Sequence, residues 1–132
     1  MNLLIQEQKD LLLKDLCARL PYDVKCEVIR WRPDGEMVYI RCNNSALKLT
    51  LDDFNHIMSD DFYEVKPYLF PLSSMTDEQT EELIKLINTG QNDNNEFMRS
   101  LCRIEFYHKN HFDYRGLIPK GLAIDATGKN IY

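Results

Sequence analysis

The chain has 132 residues, 44% of them hydrophobic and 28% charged, which suits one soluble globular domain with a core of its own. Its net charge of −5 argues against a general binder of phosphate backbones, and no apolar run reaches the ~18–20 residues of a membrane span. The start, MNLLIQEQKDLLLKDLC, has neither a basic leader nor a small-residue cleavage site, so a cytoplasmic protein with no membrane association is expected.

Residues 4–20 predict a helix. Ile5, Leu12, Leu13, Leu16, Cys17 and Leu20 recur at three- and four-residue spacing, and Pro21 closes the segment. Residues 24–31 alternate, with Val24, Cys26 and Val28 on one face and Lys25 and Glu27 on the other. RPDG at 32–35 has the proline and glycine of a tight turn, and residues 36–42 return as the second arm of a hairpin. In that arm Tyr39 and Arg41 are expected to share a face. A turn at 43–45 leads to ALKLTL, 46–51, read as the third strand of a meander.

Residues 52–58 read as a short helix, with the acids at 52–53 capping it and those at 60–61 in a solvated loop. Residues 64–72 are apolar but carry Pro67 and Pro71, which points to an edge strand or a strap across the sheet. Thr76 and Gln79 form a capping box for a helix whose apolar face is Leu83, Ile84, Leu86 and Ile87, with Gly90 as its stop. A polar linker at 91–95 precedes a last helix from about Glu96 to Lys109, with Asn110 as its left-handed exit. Gly116, Pro119, Gly121 and Gly128 make residues 112–132 an irregular tail, packed through its apolar side chains.

The expected architecture is α+β in one domain, 1–132. It has an N-terminal helix, a three-stranded antiparallel meander that could curl into a small SH3-like barrel, a fourth strap or edge strand, two C-terminal helices and the irregular tail.

Chemically capable side chains crowd into HKNHFDYRGLIPKGLAID, 108–125. His108, His111 and Asp113 have spacing that one metal ion could use, but an expected helix end between the histidines favours no metal and no cofactor. His108 then serves as a partly cationic cap at the helix C-terminus. Acids in TDEQTEE, 76–82, suit a helix N-terminus better than acid–base chemistry. No GxSxG elbow, phosphate loop or GxGxxG occurs, so an enzyme is not expected. Cys17, Cys26, Cys42 and Cys102 are widely spaced and read as buried free thiols.

Two surfaces remain. Phe112, Tyr114, Arg115 and Lys120 form an aromatic and basic loop suited to a protein partner. Arg30, Trp31, Arg32, Tyr39 and Arg41 place aromatic and cationic groups on one hairpin, suited to stacking on bases. Charge is uneven: residues 50–96 hold eleven Asp/Glu against two Lys/Arg, whereas 97–132 hold six Lys/Arg against three Asp/Glu.

Three stretches, LLLKDLCARLPYDVKC (11–26), VKPYLFPLSSMTDEQTEEL (65–83) and HFDYRGLIPKGLAID (111–125), together resemble a recurrent family of short uncharacterised proteins encoded by gut anaerobes of the Bacteroidales and their phages. The resemblance spans most of the chain and implies a cytoplasmic phage or prophage protein, with no activity, cofactor or catalytic residue to carry over. The expected function is a non-enzymatic binding or adaptor protein that engages a host or phage protein. The alternative is a nucleic-acid-associated accessory protein using the 24–42 hairpin and the basic C-terminal region.

Overall fold

The computed structural model describes residues 4–59, 62–89 and 96–132. Among them the chain forms four α-helices and a mixed sheet of six strands, an α+β architecture.

The first helix, α1 (Gln6–Arg19), runs on through a 3-10 turn, Leu20–Tyr22, that contains Pro21 and ends at Asp23 in the left-handed region. Its buried face is Leu12, Asp15, Leu16 and Arg19. The expected stripe is therefore only half right, since Ile5, Cys17 and Leu20 are exposed. Two charged residues take the inward positions because each finds partners inside, as described below.

β1 (Lys25–Trp31) and β2 (Met37–Arg41) form the expected hairpin, closed by the 32–35 turn with Gly35 at positive φ. The pairing shifts by one residue between Val28 and Ile29, which leaves Ile40 as an extra residue in β2. β3 (Leu47–Lys48) is much shorter than expected and does not continue the meander. It pairs with β1, on the side already used by β2, so β2 and β3 lie end to end along one edge of β1. The chain leaves β3 early because Thr50 is a helix cap. Its hydroxyl accepts from the Asp53 N–H and the Asp53 carboxylate accepts from the Thr50 N–H at 2.9 Å, starting α2 (Leu51–Met58).

β4 (Tyr63–Pro71) joins the two parts of the sheet, and over residues 63–67 it is the expected edge strand, with β1 as its one neighbour among the described residues. It pairs antiparallel with β1 through residues 63–67. Further along it pairs in parallel with β5 (Phe112–Asp113) and β6 (Ile124–Asp125). Pro67 is tolerated for a reason of register. The Trp31 N–H donates to the Phe62 carbonyl at 2.6 Å, so bonded and non-bonded pairs alternate from there. The Cys26/Pro67 pair is then a non-bonded one, and the ladder to β1 asks nothing of the proline nitrogen. Strand order is β2-β1-β4-β5, and among the described residues no pairing joins the ends to close a barrel.

α1 and α2 cover one face. Leu12, Leu16, Val24, Cys26, Val28, Ile57, Val65 and Leu69 form the main core, completed from the tail by Leu117, Leu122 and Ala123. Each fully buried aliphatic side chain there contributes about 1.5–3 kcal/mol. The tail is thus part of the core, and it contains two short strands. Only Cys26 of the four thiols is buried; Cys17 is exposed and Cys42 and Cys102 are intermediate.

α3 (Asp77–Thr89) begins with the expected capping box, Thr76 N–H to Gln79 at 2.9 Å and Gln79 N–H to Thr76 at 3.1 Å. α3 and α4 (Glu96–Lys109) pack at the far end of the sheet through Leu83, Phe106, Phe112 and Phe70. Ile84 and Leu86 stay exposed, as do Phe97 and Leu101. The expected stop at Gly90, the 91–95 linker and the acids at 60–61 lie outside the described residues. Helix α4 exits through His111, at φ 61°, and not through Asn110, whose side chain instead donates to the Phe106 carbonyl at 3.0 Å.

Candidate functional site

His108, Phe112, Asp113, Tyr114 and Arg115 meet α1 in a polar knot with a buried centre. Asp15 and Arg19 are both 0% exposed and paired at 2.7 Å, one turn apart on α1. Arg19 Nη2 also donates to the Phe112 carbonyl at 2.6 Å, which ties α1 to the tail. The Arg115 Nε lies 3.2 Å from the second Asp15 oxygen, and its guanidinium sits 5.0 Å from the Tyr114 ring centre. The Tyr114 hydroxyl and His108 Nε2 share a hydrogen bond of 2.6 Å. Both Asp113 oxygens accept backbone N–H groups, from Leu117 and Ile118, each at 2.8 Å. Taking such charges out of water is unfavourable by several kcal/mol per ion. The mutual contacts offset part of it, while Asp15 Oδ1, Arg19 Nη1 and Arg115 Nε are buried with no hydrogen bond among the described residues.

This geometry corrects two expectations. Phe112 is 1% exposed and packs on Phe106 and Phe70, so it cannot serve as a surface anchor. His108 is not a cationic cap: burial, then Arg19, push its pKa down, and the neutral ring faces Tyr114. His111 is lowered to about 4, chiefly by burial and next by Arg19, and it stacks on Tyr132 with ring centres 3.7 Å apart. With Asp113 occupied by two amides, the His108, His111 and Asp113 set is not gathered around a common point. Among the described residues no group of three or more His, Cys, Asp or Glu is placed to hold a metal ion.

The hairpin set is also divided. Residues opposite one another in an antiparallel pair share a face. Tyr39 therefore goes with Ile29 and Glu64, whereas Arg41 goes with Val28 and Val65. The extra residue at Ile40 is what separates Tyr39 from Arg41, against the expectation that they share a face. Arg41 turns inward to an ion pair with Asp53, which is itself buried. Arg30 and Arg32 line a different groove, of about 520 Å³, with Pro33, Asp34, Val38 and Ile40. A base stacked on Trp31 and Tyr39 would thus meet Glu64 and Glu27 before it met a hairpin arginine.

Trp31 and Tyr39 instead line a cleft of about 740 Å³. It extends from the open face of β1 and β2 past Tyr63–Lys66 of β4 to α1, the end of α2 and the turn at Lys120–Leu122. Met37 and Tyr39 are 46% and 53% exposed at its mouth. Ile29 is its apolar floor on the Trp31 and Tyr39 face, while Ile57 and Leu122 line it from the helix-covered side of β4. His56 stacks on Tyr63 with ring centres 3.9 Å apart, nearly parallel. Glu27 and Lys66 face each other across the β1–β4 ladder; burial raises the Glu27 pKa and Lys66 opposes that rise. Lys120, singled out in the tail, lies at this cleft, while Tyr114 and Arg115 are held at the knot.

Reading the sequence missed Met37, His56, Tyr63 and Lys66 as members of one site. The signal was present only for Met37, an apolar residue on the turn-side end of a strand whose neighbours alternate. The others join the cleft because β4 runs beside β1, which no local pattern shows. No family model, curated protein or solved structure matches this chain.

Proposed function

We propose that the protein is a non-enzymatic binding module, of the phage or prophage setting its sequence resembles, and that it takes a segment of a partner protein in the cleft beside Trp31. The observation that carries this reading is the exposed Met37 and Tyr39 beside a half-buried Trp31, over the buried Ile29. Aromatic anchors next to an apolar pocket are what protein interfaces favour at their centres. The nearby charges are of both signs, which favours a polypeptide over a phosphate backbone.

The test is capture from bacterial host lysate by wild type and by a Trp31→Ala, Tyr39→Ala variant side by side, with a photo-crosslinker at position 39. A protein held and cross-linked by wild type and lost by the variant is the expected result. Equal retention by both, or a salt-sensitive shift of labelled RNA or DNA with no protein captured, would refute the reading.

A further inference from the structure

We infer that the partner's segment is an acidic, extended one that joins the sheet as a new strand on the free edge of β4. This rests on the reading that the cleft takes a partner protein. The alternation fixed by Trp31 and Phe62 points the amide groups of Glu64 and Lys66 at β1 and turns those of Tyr63 and Val65 the other way. Among the described residues, β4 gains a neighbour on that outer side only at Tyr68 and Leu69, where β6 pairs and the Leu69 carbonyl accepts from the Ala126 N–H at 2.8 Å. The edge before it is paired with no described strand and forms a wall of the cleft.

Val65 makes that edge informative. The residue is 4% exposed, yet its N–H and C=O have no partner among the described residues. Buried backbone amides are paired in nearly every folded protein, by water or by another chain where the fold itself supplies nothing. A strand added from outside satisfies such groups directly, as in other cases of sheet augmentation. Pro67, which has no N–H, ends the receptive stretch.

Charge selects the occupant. Lys120 and Lys66 border the edge, and neither is in an ion pair among the described residues. Lys9 lines the cleft from α1. The two carboxylates of the cleft, Glu27 and Glu64, belong to the sheet face opposite to Val65 and the helices. Alternate side chains of an added strand would project toward the helix-covered face, where the exposed Lys120 is the cation that no described residue pairs. Acidic residues at those positions fit.

The probes are an alternating glutamate–valine peptide, its lysine–valine counterpart, and the glutamate peptide N-methylated at every second amide. Trp31, the only tryptophan of the chain, reports cleft occupancy through its emission, and amide hydrogen exchange of Val65 by NMR reports the new bond. The glutamate peptide should saturate, bind at least ~10-fold more tightly than the lysine peptide, and slow Val65 exchange by ~10-fold or more. N-methylation should abolish that protection, and Lys120→Glu, an exposed position, should weaken the glutamate peptide by ~10-fold. Failure to saturate, equal binding of the N-methylated peptide, or unchanged Val65 exchange overturns the inference. A captured partner that depends on Trp31 but leaves Val65 exchange unchanged refutes strand addition alone; no Trp31-dependent partner refutes the binding module as well.

Discussion

Replacing Arg19 by methionine tests the buried knot on which the position of the tail depends. The substitution keeps most of the side-chain volume and removes the guanidinium that pairs with Asp15 and holds the Phe112 carbonyl. Asp15 is then a charge with no exposure, facing only Arg115 at 3.2 Å. Removing one member of a buried pair destabilises by about 3–5 kcal/mol; Arg115 compensates in part, so about 3 kcal/mol is expected. With a urea slope of about 2 kcal/mol/M, the unfolding midpoint should fall by about 1.5 M with the slope unchanged. The double variant Asp15→Leu, Arg19→Met removes both charges, frees Arg115 to turn to water, and should fold within about 1 kcal/mol of wild type. That difference between single and double is the diagnostic. If Arg19→Met costs under about 1 kcal/mol, or if the double variant is no better than the single, the knot does not hold the tail as described.

Acid should loosen the tail. His111 titrates at about 4 in the folded chain, so the unfolded chain binds its proton first, and stability falls as pH drops from about 6.5 toward 4. The full linkage at pH 5 is about 2 kcal/mol; the ring is partly open to water, so about 1 kcal/mol is expected from urea melts at pH 7 and pH 5. His111→Phe, which keeps the stack on Tyr132, should remove the larger share of that difference. Arg41→Ala strips the buried Asp53 of its ion pair and should cost about 2–4 kcal/mol, whereas Tyr39→Ala, two residues away and exposed, should change thermal stability by under about 0.5 kcal/mol. A thiol reagent should modify Cys17 at once and Cys26 only on unfolding, since burial raises the Cys26 pKa and closes access to it; one fast thiol in a stopped-flow titration would be followed by slower ones. Thr76→Ala removes the hydroxyl that caps α3 and should lower stability by about 1 kcal/mol in the same melts.

Local rules account for much of this protein. The three- and four-residue spacing in 4–20, the alternation of 24–31, the 32–35 turn and the Thr76–Gln79 box each produced the element they encode, because each depends on atoms within one or two turns of chain. The α+β class follows from their order. Thr50 shows how one unread cap changes an assignment: with its hydroxyl taken as a strand residue, 46–51 looks extended throughout.

What the amino acids alone could not settle was everything that depends on which distant segments meet. A charged residue in a helix is ordinarily on the surface, so Asp15 and Arg19 gave no sign that they face inward; Arg115 and the Phe112 carbonyl, about a hundred positions away, make that burial tolerable. Pro67 reads as an edge residue from the sequence, but only the register shows which side of β4 is the edge, since its nitrogen faces away from β1. Tyr39 and Arg41 look like one recognition surface until a single unpaired residue turns them to opposite faces. The cleft itself belongs to the second kind. Trp31, Tyr63 and Lys120 are scattered along the chain, and only the long-range pairing of β1 with β4, with the tail folded back over α1, brings them to one place.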